Sequence, residues 1–113
     1  MNASKHETGL QPAVGTDLAG LADYVPDSII SRTLVKNDAG TITLFAFSKG
    51  QGLSKHSAPF DAFVHILDGQ GIITIGEHDH KVKAGEVILM PANVPHAVQA
   101  PQNFKMLLVM LKG

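Results

Sequence analysis

Six histidines, at 6, 56, 65, 78, 80 and 96, are the only side chains of this 113-residue chain able to ligate a transition metal through nitrogen. The chain has no cysteine. That excludes disulfides, thiolate-bound zinc, iron–sulfur clusters and thiol nucleophiles together. Imidazole chemistry remains: metal ligation, proton transfer near neutral pH, or hydrogen bonding to a small ligand. Ser54 and Ser57 lack the neighbours of a nucleophilic triad. Asp61 and Glu86 are acids close to His56 and to the Val87–Met90 run; either would need a positioned proton to act as a general base, and Glu86, just after the Gly85 turn, is expected to face solvent.

Charge and hydropathy narrow the partners. Nine basic residues against ten acidic give a net charge of −1, which provides no electrostatic footprint for nucleic acid or an anionic membrane. No apolar run approaches the ~20 residues of a membrane span. The segment from Met1 to Leu10, with Lys5, His6 and Glu7, has no apolar signal core, so the expected location is the cytoplasm.

The elements that must position these histidines are strands. Turn signals such as Asn37-Asp38-Ala39-Gly40, Asp68-Gly69-Gln70-Gly71 and Ala84-Gly85-Glu86 punctuate the chain. Most are spaced by ~8–12 residues, as in a sandwich or barrel of short strands. Between them lie β-branched and apolar runs at Ser28–Val35, Thr41–Phe47, Ala62–Leu67, Ile72–Ile75, Lys81–Val82, Val87–Met90 and Phe104–Leu111. Thr16–Tyr24 is the best helix candidate, with Thr16 or Asp17 as cap and Leu18, Leu21 and Ala22 at helical spacing. The alternative for that stretch is an irregular arm lying across a sheet. One domain is expected, with residues 1–27 as an N-terminal arm and 28–113 as the barrel.

Several strands are apolar on both faces, among them Val87–Met90 and Met106–Leu111. Such strands need an outer cover. A second copy of the chain would supply it, so a homodimer is expected, with the C-terminal strand or the Ser28–Phe47 hairpin at the contact; residues 1–27 are the other available cover.

Two segments stand out. One runs Gly52-Leu53-Ser54-Lys55-His56-Ser57-Ala58-Pro59-Phe60-Asp61-Ala62 and continues through His65 to Gly69. The other runs from Gly85 through Met90-Pro91-Ala92-Asn93-Val94-Pro95 to His96. Together they resemble the two signature motifs of the cupins, small antiparallel jelly-roll β-barrels, and specifically the short single-domain cupins. The resemblance covers roughly residues 40–111 and implies an all-β jelly-roll barrel with a short N-terminal arm or helix. In metal-binding cupins, three groups from the first motif and the histidine of the second hold one divalent ion. The resemblance places those positions at His56, Ala58, Ala62 and His96. Two of the four are therefore alanine. The second motif's glycine is Asn93, which tolerates a positive φ.

The expected function is small-molecule binding in the barrel interior at a remodelled two-histidine site. His56, His96, Phe60, Phe63 and Met90 are the expected ligand contacts, with Phe47 and Val64 as further walls. A metal-dependent oxygenase or isomerase using His56 and His96 is the alternative, and a structural dimer without ligand is a third. The cofactor stays open: a divalent zinc, iron, nickel or manganese ion on His56 and His96, or none. His78 and His80 read as turn residues beside Gly76, His6 as solvated, and His65 as either pocket or interface. Met106 and Met110 read as filler of a core or interface.

Overall fold

A computed structural model describes residues 9–112. His6 and the rest of residues 1–8 lie outside that range. Nine strands follow one short 3₁₀ turn: β1 Ile29–Asn37, β2 Gly40–Phe47, β3 Gly52–His56, β4 Asp61–Asp68, β5 Gln70–Ile75, β6 His78–Lys83, β7 Val87–Met90, β8 His96–Gln99 and β9 Phe104–Leu111. They form two antiparallel sheets, ordered β1-β2-β9-β4-β7 and β3-β8-β5-β6. The architecture is the expected all-β jelly roll.

The core is the space between the sheets. β4 alternates with period two: Ala62, Val64 and Ile66 are buried, while Asp61 and Phe63 are exposed. Such alternation follows from the pleat, which sends successive side chains to opposite faces. The same parity sends Phe104 and Met106 of β9 inward beside Phe47 of β2. At the closed end, the Phe47 and Phe104 rings stack at 4.7 Å and 2°. Gly71 makes room for them, since a Cβ there would lie 2.6 Å from the Phe104 ring. The β4–β5 turn needs Gly69 at φ +71°, and a Cβ there would meet the Asn103 carbonyl oxygen at 2.1 Å.

The N-terminal arm covers part of the outer face of the larger sheet. Leu18, Leu21, Ala22 and Tyr24 pack over Leu44 and Ala46. Three polar contacts hold the arm down. Tyr24 donates to Asp68 at 2.5 Å, Lys105 Nζ donates to the Ala19 carbonyl at 2.7 Å, and Arg32 donates to the Leu21 carbonyl at 3.3 Å. Burial and the Asp68 carboxylate raise the Tyr24 phenol above its ordinary range, so it stays a donor.

The helix expected over Thr16–Tyr24 is not formed. Only Ala19–Leu21 makes a 3₁₀ turn, and neither Thr16 nor Asp17 caps it. Gly20 weakens a helix at its centre, and an extended arm lays its apolar residues across a flat sheet. Among the described residues, no helix is long and apolar enough to cross a membrane. Beyond the arm's reach, Phe63, Val87, Leu89 and Leu111 leave an apolar strip exposed on the same outer face.

Candidate functional site

The site lies where the chain passes twice between the sheets at one end of the sandwich. β3 ends at His56 in the smaller sheet, and after residues 57–60 the chain starts β4 in the larger sheet. β7 ends at Met90 in the larger sheet, and after residues 91–95 the chain starts β8 in the smaller sheet at His96. The two crossovers are tied together. Asn93 N–H donates to the Ala58 carbonyl at 2.8 Å, and Ala92 N–H donates to Asp61 Oδ1 at 2.9 Å. Asn93 takes φ +66° to make this turn, so it does serve where the family's glycine stands.

Register then sets which side chains meet. On the smaller sheet His56 pairs with His96, His96 with Ile75, and Ile75 with His78. On the larger sheet Met90 pairs with Ala62, Ala62 with Met110, and Met110 with Thr41. Directly paired residues share a face, so these are two inward-facing rows at the same end. A bulge between Leu53 and His56 moves the parity of β3 by one and turns His56 toward the interior.

The two histidines form one unit. Their rings meet edge to face with centroids 4.5 Å apart. His96 is 6% exposed, whereas His56 lies at the open rim. His56 Nδ1 sits 2.9 Å from the Ser54 carbonyl and His96 Nδ1 sits 3.3 Å from the Val94 carbonyl. A carbonyl only accepts, so each Nδ1 carries the hydrogen and each Nε2 of a neutral ring is a free lone pair. Burial, reinforced by the nearby His56, lowers the His96 pKa below its ordinary value. Neutral His96 is therefore the resting form, and its Nε2 is an acceptor or a metal donor.

The remaining expected contacts divide. Met90 is buried beside Ala62 in the core at the mouth. Phe60 lies in the first crossover, half-buried, with Lys112 Nζ 5.8 Å from its ring centre. Phe63 is corrected: it is 39% exposed on the outer face, in register with Leu89 and Val109. One step of parity from Ala62 excludes it from the interior. Phe47 is a wall only at the far, closed end. His65 shares the outer face with Phe63, paired to Val87 and Leu107. Asp61 is held by Ala92, and Glu86 Oε1 accepts from Lys83 N–H at 2.9 Å, so both acids serve turns.

His78 and His80 are also corrected. They belong to strand β6, not to a turn. His78 shares the inner row with His96 but lies two strands away, ~10 Å at the usual strand spacing.

A divalent centre of the family type needs donors at positions 56, 58, 62 and 96. Among the described residues no three His, Cys, Asp or Glu side chains come together. Two imidazoles without a third donor do not fit the three-ligand zinc sites or the iron facial triad.

The comparisons agree with the geometry. A family model described as a cupin domain matches residues 43–111, so the chain belongs to the cupin family. A conserved protein of unknown function from Streptococcus pyogenes superposes with TM-score 0.87 at 41% identity, covering 92% of this chain and 91% of that one. A cupin superfamily protein from Desulfitobacterium hafniense gives TM-score 0.86 at 28% identity, with 92% and 95% covered. A cupin 2 conserved barrel domain protein from Leptotrichia buccalis gives 0.84 at 41% identity, with 86% of this chain and 47% of that one covered. No curated protein matches the sequence significantly.

The lowered His96 pKa makes stability depend on pH in one direction. An unfolded histidine takes its proton near pH 6.5, whereas folded His96 takes it at lower pH. The unfolded state therefore binds more protons between the two values, and stability rises with pH there. His96 contributes its full share above about pH 6.5 and loses it as the pH falls toward the folded value. Denaturant unfolding across this range is expected to show that loss in the parent and a smaller one in His96→Gln. NMR titration of the His96 ring checks the site directly: a midpoint at or above the ordinary value contradicts the assignment.

Proposed function

We propose that the chain is a small-molecule-binding cupin whose ligand sits at the mouth against Nε2 of His56 and His96. The observation that carries this reading is the pair itself. Two touching imidazoles have their Nδ1 atoms tied to backbone carbonyls, and the facing row offers Ala62, Met110 and Thr41. Such a site accepts hydrogen bonds at the histidine wall and is mostly apolar at the other, where Thr41 adds one hydroxyl. It suits a ligand with an apolar body and a hydroxyl, N–H or protonated acid. A few fixed polar groups in an apolar concavity are the usual make-up of a ligand pocket. The metalloenzyme alternative has less support, because alanine stands at two of the family's four donor positions.

Metal-free protein screened against a metabolite library tests this. A ligand present at 100 times its Kd adds about 2.7 kcal/mol, a rise on the order of 10 °C in Tm for a domain of this size. The His56→Ala/His96→Ala double variant is expected to keep its circular dichroism spectrum and lose the shift. Retention of the shift by that folded variant overturns the reading.

The chain is also proposed to pair with a second copy through the strip formed by Phe63, Val87, Leu89 and Leu111. The strip is a part of the outer face that the arm leaves uncovered, with Val87 and Leu89 on the edge strand β7. Light scattering after size exclusion is expected to give the mass of two chains, and Leu89→Glu the mass of one. A parent of single-chain mass at tens of micromolar contradicts the pairing.

A further inference from the structure

We infer that two copies of the chain pair face to face about a two-fold axis running along β9, so that β7 of each copy lies over β1 of the other and both mouths open at the same end. This rests on the pairing proposed above and adds its geometry.

One row of side chains crosses the whole outer face of the larger sheet. Val35 pairs with Ile42, Ile42 with Val109, Val109 with Phe63, and Phe63 with Leu89. Directly paired residues share a face, and the row follows the strand order β1-β2-β9-β4-β7. All five are apolar. Val35 and Phe63 are each 39% exposed and Leu89 is 52% exposed, with Ile42 and Val109 half-buried between them. The arm packs over Leu44 and Ala46 and leaves Val35, Phe63 and Leu89 open. Contiguous exposed apolar surface of this kind marks an interaction site.

The two ends of the row differ in relief. At the β1–β2–β9 end a recess of about 150 Å³ lies among Val35, Asn37, Gly40, Ile42, Val109 and Leu111. Gly40, the cross-strand partner of Leu111, has no side chain to fill it. At the β4–β7 end Phe63 and Leu89 are exposed, Leu89 on an edge strand. Ridge and recess sit on opposite sides of Val109, which stands on the middle strand.

That relief makes the face complementary to itself, so the occupant it fits is a second copy. A two-fold interface brings the same patch from both copies together. An axis along β9 sets β7 against β1 and β4 against β2, which lays Phe63 and Leu89 on the partner's recess twice over. An axis across the strands would instead set β7 on β7 and β1 on β1, ridge on ridge and recess on recess.

The same row backs the mouth. Ile42, Val109, Phe63 and Leu89 are chain neighbours of Thr41, Met110, Ala62 and Met90, the inner row of the larger sheet at the mouth. Pairing therefore braces that wall from behind. Rotation about an axis along the strands preserves their direction, which puts the two mouths side by side.

Chain mixing tests the arrangement, with mass read by light scattering after size exclusion and folding by circular dichroism. Leu89→Glu and Val35→Lys each put an unpaired charge into the interface, and each is expected to weaken pairing by roughly ten-fold or more. Mixed together they are expected to recover the mass of two chains, because the new carboxylate meets the new ammonium across the axis. Leu89→Glu mixed with Leu89→Lys is expected to stay single. The chain has no cysteine of its own, so Leu89→Cys mixed with Val35→Cys is expected to be joined by a short bismaleimide. Leu89→Cys alone is not, since its two copies lie about 20 Å apart, four strand spacings. Recovery by the two Leu89 variants, cross-linking of Leu89→Cys to itself, or folded Leu89→Glu and Val35→Lys chains that do not recover on mixing overturns the arrangement and leaves the pairing standing. A parent of single-chain mass overturns both.

Discussion

One backbone hydrogen bond, from Asn93 N–H to the Ala58 carbonyl, fixes the distance between the two crossovers at the mouth of the sandwich. Everything that could do chemistry hangs from those crossovers. They set where β3 ends and β8 begins, and hence that His56 and His96 stand side by side. They equally set where β7 ends and β4 begins, and hence that Met90 and Ala62 face them from the other sheet. Asn93 holds a left-handed φ to make the bond, a conformation that asparagine tolerates better than most residues. Asp61 supports the same turn from the opposite side through Ala92. An acid that looked available for catalysis is thus part of the scaffold.

Burial near this mouth determines the chemical state of His96. His96 is almost enclosed, so its charged form is disfavoured. Its companion at the rim adds to the effect, because two imidazolium rings in contact repel each other. His96 thus presents a nitrogen lone pair toward the row of Met90, Ala62, Met110 and Thr41 on the facing sheet. The rest of the sandwich keeps that row in place. The stack of Phe47 on Phe104 closes the far end, and the arm, clasped by Tyr24, Arg32 and Lys105, seals part of the outer face.

Much of the architecture was legible in the chain. The runs at Thr41–Phe47, Val87–Met90 and Phe104–Leu111 became β2, β7 and β9 with ends matching to within a residue. Two strands left no such mark: β3, Gly-Leu-Ser-Lys-His, and β8, His-Ala-Val-Gln. They are short and poor in the β-branched and aromatic residues that signal a strand, yet they carry both site histidines. Motif spacing found those histidines where propensity could not. The bulge in β3 was equally invisible, since nothing in Leu53–His56 marks the extra residue. Phe63 was misplaced for a related reason: its size suggested a wall, but only the pairing of β4 fixes which parity faces inward. The helix over Thr16–Tyr24 failed because local spacing cannot tell an amphipathic helix from an arm that meets a sheet. His78 and His80 shared the same difficulty, being polar residues on an edge strand.

We propose that positions 56, 58, 62 and 96 converge on a common point, and that alanine at two of them removes a divalent site the fold could otherwise hold. Titration of the Ala58→His/Ala62→Glu variant with nickel and zinc, beside the parent, measures this directly. The variant has two imidazoles, a third histidine and a carboxylate in the family's positions, and it is expected to bind one divalent ion per chain far more tightly than the parent. A folded variant that binds no more tightly than the parent would contradict the convergence, and with it the placement of the site.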